Sequence, residues 1–179
     1  MDVTASAGVG DLHKGHGIAF ADVDNDGDED ILTVTGGAVP GDAHAFRLYE
    51  NPGNGNHWIS LRLVGVKTNR AALGARMKVT VVEQGEGKDK VPRSIYRTVG
   101  SGGSFGASPL QQHIGLGKFA QKVDLEISWP TSKTQQTFTN VAVDQFLEIK
   151  EFAKDYSKLV KRPFRLGGSQ RQSVSAVHP

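Results

Sequence analysis

The sequence predicts an all-β fold built around an antiparallel β-sandwich. Three observations carry this. Apolar residues alternate with polar ones at period 2 in several separate segments, 22 glycines break the chain into short runs, and no stretch of helical periodicity is long enough to outweigh them. Ile59, Leu61 and Leu63 alternate with Ser60, Arg62 and Val64. Met77, Val79 and Val81 alternate with Arg76, Lys78 and Thr80, and Val123, Leu125, Ile127 and Trp129 alternate with Asp124, Glu126 and Ser128. Each pattern places one face inward and one outward, as in a half-buried strand.

Taken in order, residues 1–15 are small and polar and read as loop. Ile18-Ala19-Phe20 and Ile31 to Thr35 are short apolar, β-branched runs that read as strands. Gly36 to Asp42 is a turn-rich connection, and Ala45 to Glu50 reads as a further strand. Asn51-Pro52-Gly53-Asn54-Gly55-Asn56 is dense in turn formers and marks the domain boundary. Beyond the three alternating runs, strands are expected near 93–99, 111–115, 135–141 and 145–150. From 152 to 159 the pattern allows one or two helical turns that Pro163 would stop. Gly167 to Pro179 is rich in Ser, Gln and Gly, and disorder is expected there. The organisation is thus 1–15 as a loop, 16–50 as a small β unit, 56–151 as the sandwich, and 152–179 as a basic tail.

Between the first two strands lies Asp22-Val23-Asp24-Asn25-Asp26-Gly27-Asp28-Glu29-Asp30. Six of these nine residues are acidic, and no Lys or Arg lies between Lys14 and Arg47. Ca²⁺ collects roughly six to eight oxygens at about 2.3–2.6 Å, and a short loop supplies several only by curling around the ion. Gly27, at position 6, permits that curl because it tolerates positive φ. Asp22, Asp24, Asp26 and Asp30 are the candidate side-chain ligands, with residue 28 offering its backbone carbonyl. An EF-hand begins similarly but requires Glu at position 12 and a helix on each flank. Position 12 here is Thr33 and both flanks read as strand, so that reading falls. An acidic turn without metal would leave the repulsion among its carboxylates uncompensated.

Composition excludes several classes. The net charge of +2 hides an asymmetry, since residues 151–179 carry six Lys/Arg against two acids while residues 1–150 carry 15 against 17. That excess is too small, and lacks the aromatic platform, for a nucleic-acid partner. No run approaches the ~20 apolar residues of a membrane-spanning helix. No cysteine is present, so disulfide and thiolate chemistry are absent. The segment from Met1 to Gly10 lacks the basic-then-apolar layout of a signal peptide and reads as an internal start, the chain being a piece of a longer protein.

Other motifs yield no catalytic centre. Gly102-Gly103-Ser104-Phe105-Gly106 matches G-x-S-x-G, but a nucleophile elbow needs a helix next and an acid and a histidine later. A Gly-rich turn fits better. Neither Gly87-Lys88 nor Gly117-Lys118 completes a phosphate loop. His13 and His16 precede the acidic loop, where they can line its rim, and His44, His57, His113 and His178 have no zinc-site spacing. Trp58 and Trp129 sit in strand patterns and read as core or sheet-face residues rather than sugar platforms.

Together these motifs bring a known family into view. His16 to Ala21 followed by the acidic loop resembles an FG-GAP/VCBS-type propeller repeat. Asn56 to Gly65, Asn69 to Arg76, Gly102 to Phe105, Ile114 to Gly117, Ile127 to Pro130 and Asn140 resemble, in order, an ASPIC/UnbV domain of the cartilage acidic protein family. The resemblance covers roughly residues 16–151. It implies a sandwich preceded by a partial propeller blade, with Asp22, Asp24, Asp26, Asp28 and Asp30 at a calcium site and Ca²⁺ as the only cofactor. It transfers no catalytic residue, so an enzyme is not expected. It further implies a secreted protein, extracellular or periplasmic, with an extracellular protein or glycan as partner. With a single repeat, exposed strand edges would offer a route to homo-oligomers. The leading expectation is a calcium-stabilised interaction module with recognition on loops such as 66–73 or 100–110; the alternatives are a carbohydrate-binding module or a structural cap on a propeller.

Overall fold

The structure, a computed structural model, describes residues 2, 4–10, 14–37, 39–84, 90–103, 107 and 109–166, with the backbone alone at 82–84, 90 and 91. The expectations for His13, His178, Ser104 to Gly106 and the 167–179 tail lie outside the described residues.

Eleven strands and no helix make up the described chain. β1 (Gly15–Ala21), β2 (Asp30–Thr35) and β3 (Arg47–Tyr49) form a small antiparallel sheet in that order. β4 (His57–Val64), β5 (Arg76–Gln84), β6 (Lys90–Thr98), β7 (Gln112–Gly117), β8 (Lys122–Ser128), β9 (Gln135–Ala142), β10 (Gln145–Lys150) and β11 (Ser157–Leu159) form two four-stranded sheets. Their orders are β11-β10-β4-β7 and β6-β5-β8-β9.

The two larger sheets enclose one core. Ile59, Leu61, Leu63, Ile114, Leu116, Leu147 and Ile149 from the first pack with Met77, Val79, Val81, Val123, Leu125, Ile127, Phe138 and Val141 from the second. These are the inward positions that the alternation selects, and their burial supplies the main stabilisation. Trp129, just past β8, is 1% exposed and belongs to this core.

Two expectations need correction. The sandwich is not wholly antiparallel: β10 runs parallel to β4, pairing Gln145 with Ile59 through Lys150 with Val64. The short turn between β9 and β10 crosses from one sheet to the other, and periodicity carries no information on direction. Nor does 152–159 form helical turns. Phe152 takes a left-handed conformation (φ 68°), Tyr156 packs edge-on to Phe138 at 5.7 Å, and Ser157–Leu159 pairs antiparallel with β10. A helix of eight residues gains little by itself, whereas the strand covers an otherwise open sheet edge.

The loop between β4 and β5 is held from below by Glu151, which is 2% exposed. One carboxylate oxygen accepts the amides of Val66, Lys67 and Thr68 at 2.6, 2.7 and 2.8 Å, and the other accepts the Thr68 hydroxyl at 2.8 Å. Gly65 opens this loop because a Cβ there would lie 2.1 Å from the Asn69 carbonyl oxygen. Burial pushes the Glu151 carboxyl up, but hydrogen bonds from Ser132, Val66 and Thr68 outweigh it and hold its pKa at about 2.

Candidate metal centre

The acidic loop joins β1 to β2 at the end of the small sheet that faces the sandwich. Asp22, Asp24 and Asp26 are brought together, each offering a carboxylate oxygen within 4.8 Å of the other two. The turn that does this is local. The Asp26 amide donates to Asp24 Oδ1 at 3.2 Å and the Asp28 amide to Asp26 Oδ1 at 2.9 Å, while Asn25 and Gly27 adopt φ of 61° and 100°.

Asp28 and Asp30 stand apart from this group. Asp30, buried, closes the base of the loop: its two oxygens accept the amides of Val23 at 3.1 Å and Asn51 at 2.9 Å. Asp28 turns toward Gly53, where an added Cβ would lie 2.8 Å from its Oδ2.

The three grouped residues fit a hard cation on evidence of their own. Both carboxylate oxygens of Asp22 are buried and have no hydrogen-bond partner. Burial raises the Asp22 carboxyl, the Asp26 charge raises it further, and the nearby Gly27 and Asn25 amides offset this only in part, without closing hydrogen bonds of ordinary geometry. Asp28 is raised by the same two causes, burial first. A raised carboxyl disfavours the folded state at neutral pH, and a bound cation reverses that term. The donor set is all oxygen, as Ca²⁺ or Mg²⁺ prefers.

The loop also leans on the sandwich through residues that the sequence did not single out for it. Gly27 lies against the Trp58 indole so closely that a Cβ would fall 2.1 Å from Nε1. Trp58 stacks on His113 (centroids 5.1 Å apart) and tilts against Phe146 (4.7 Å). Burial lowers the pKa of His113, whose Nδ1 is buried with no partner. Trp58 is half-buried, with Gly27, His113 and Phe146 against its ring, and Trp129 is core. His16 sits at the far end of the β1–β2 hairpin, bonded to the Gly36 carbonyl, and does not line the loop's rim. His57 donates from Nδ1 to Asp144 at 2.7 Å and fixes the turn before β10.

An open cleft of about 450 Å³ runs beside the loop, between Asn25, Asp26, Trp58, Phe146 and Lys161. A second, of about 470 Å³, lies between Phe20, Glu29, Arg97 and His113. No described helix is long and apolar enough to cross a membrane.

Fold and site together define an all-β module, a sandwich carrying a small sheet with an acidic loop. The model of the ASPIC and UnbV family matches residues 65–155, just over half of the chain, and the protein belongs to that family. The match takes in β5 to β10 and Glu151, and it leaves β4, the small sheet and the acidic loop outside. No curated protein matches the chain.

Proposed function

We propose that this chain is a calcium-stabilised, non-catalytic interaction module of a secreted protein, extracellular or periplasmic, in which residues 16–50 are an FG-GAP/VCBS-type repeat. The observation that carries the reading is the Asp22 carboxylate, buried beside Asp24 and Asp26 with both oxygens unpartnered. A Ca²⁺ ion supplies the missing partner, with Asp22, Asp24 and Asp26 as ligands and the Asp28 carbonyl and waters completing the shell. The ion relieves repulsion in the loop and pins the ends of β1 and β2, so binding adds directly to folding stability. Recognition of an extracellular protein falls to loops on the sandwich. The 66–73 loop is held rigidly by Glu151 while Val66, Lys67 and Arg70 are exposed, the arrangement expected of a binding loop on a scaffold. The uncharged β1 edge provides a route to self-association.

The test is thermal unfolding in chelator, in millimolar Ca²⁺ and in millimolar Mg²⁺, on wild type and Asp24→Ala. The expected result is a midpoint rise with Ca²⁺ that the substitution abolishes. Wild type with no rise under either cation removes the calcium reading.

A structural cap is the second reading. It is favoured by the seating of Gly27 on Trp58, which makes the sandwich the abutment for the small sheet. In that case the ion locks the abutment, and no loop of the sandwich need meet another protein.

A further inference from the structure

The segment that leaves β11 lies beyond the matched family domain and returns to the acidic loop. Val160 is 92% exposed where the chain leaves the sheet. Four residues later the Phe164 amide donates to the Asp24 carbonyl at 2.9 Å, tying this segment to the main chain of a buried loop residue. Between these points Lys161 turns inward. Its ammonium sits over the Phe146 ring, 4.4 Å from the centroid, and lines the same cleft as Asn25 and Asp26. A cation–π seat of this kind fixes a long side chain that would otherwise wander in solvent. Lys161 thus brings a positive charge to the cleft beside a loop that has none of its own, since no Lys or Arg occurs between Lys14 and Arg47.

We propose that residues 160–164 form a strap closing the acidic loop onto the sandwich, and that Lys161 is the resident counter-cation of that loop. Without metal, Lys161 offsets the carboxylate repulsion and keeps the loop in place. With metal, the same charge opposes the incoming ion and lowers its affinity, so the loop fills only at high Ca²⁺. The metal half of this inference rests on the calcium reading above; the metal-free half does not.

The two halves predict effects of opposite sign from one substitution. Lys161→Met keeps the length and apolar stem but removes the charge. In chelator its unfolding midpoint falls by roughly 1–3 °C, the scale expected for one partly screened ion pair in a chain of this size. The fall disappears in an Asp22→Asn background, which a purely packing role for Lys161 would not produce. With Tb³⁺ as probe, sensitised by the Trp58 indole against the loop, the Lys161→Met dissociation constant tightens roughly three- to tenfold, as expected for removing one nearby positive charge. Lys161→Arg stays close to wild type in both. An unchanged chelator midpoint, or weaker Tb³⁺ binding by Lys161→Met, overturns the proposal. If wild type binds neither Tb³⁺ nor Ca²⁺, the calcium reading fails separately, and the chelator measurements alone decide the counter-cation role.

Discussion

The sandwich and the small sheet are built from similar short apolar strands, yet they are held in different ways. In the sandwich the inward residues of β4, β5, β7, β8 and β10 form one closed core. In the small sheet, Ile18, Phe20, Leu32 and Leu48 remain 53, 44, 41 and 42% exposed. Register explains why. Leu32 is opposite Ala19 and Leu48, while Ile18 and Phe20 are opposite Thr33 and Ile31, so exposed apolar groups occur on both faces and both remain open. Among the described residues no strand layer packs against these three, and three strands alone bury too little surface to stand by themselves. The small sheet is held instead by its ladder, by Asp30 at the loop base, and by the seat of Gly27 on Trp58.

The largest expected effect exploits this contrast. Leu61→Ala opens a cavity at a fully buried site and is expected to lower stability by about 2–5 kcal/mol. Leu48→Ala removes a side chain already in partial contact with water, and under about 1 kcal/mol is expected. Urea unfolding of the two variants measures both. Equal losses would mean that the small sheet has a core of its own, and the comparison would break.

Glu151→Gln comes next. The folded carboxyl titrates near 2 against an ordinary value of 4.5. The depressed value means that stability is fully present above 4.5 and is lost as pH falls toward 2. The shift corresponds to on the order of 3 kcal/mol at neutral pH. Replacing the carboxylate with an amide also sets an NH₂ group against a site that supplies only donors, so the loss at pH 7 should be of that size. Unfolding measured from pH 7 down to pH 3 should show the gap between wild type and Glu151→Gln closing below about 4.5. A constant gap would mean that Glu151 acts through packing rather than charge.

How much was legible follows from which interactions are local in sequence. Alternation located β4, β5 and β8 because burial on one face imposes period 2 on the strand itself. Spacing located Asp22, Asp24 and Asp26, because the curl that gathers them is a property of nine consecutive residues. Direction and pairing were not legible: nothing within Gln145 to Lys150 records that its neighbour is β4 running the same way. Glu151 was equally hidden, since its partners Val66, Lys67 and Thr68 lie more than 80 residues earlier and its neighbourhood reads as an ordinary strand end. Asp30 looked like its fellow acids, yet the structure spends its oxygens on the amides of Val23 and Asn51. Trp58, Lys161 and Phe164 became part of the loop's surroundings only through the fold. One signal was available in hindsight: a loop with six acids and no local base needs a positive charge from elsewhere, and the basic excess past residue 151 was its source.

An effect smaller than that of Glu151→Gln bears on the join between the two regions. Gly27 is buried, adopts φ of 100°, and has no room for a Cβ beside the Trp58 indole. Gly27→Ala therefore combines backbone strain with a collision that the loop can escape only by lifting off Trp58. The sandwich does not depend on that contact for its core, so the expected loss is about 1–2 kcal/mol and confined to the small sheet. The Trp58 emission should shift to longer wavelength as the indole meets water, and amide exchange should speed up in residues 15–49 but not in β4, β5 or β8. Gly27→Asn, which tolerates positive φ better but is bulkier, should lift the loop as far or further. If strain alone were responsible, Asn would be the milder change. The order of the two variants therefore separates contact from conformation, and faster exchange throughout the sandwich in either would show that the two regions unfold as one unit.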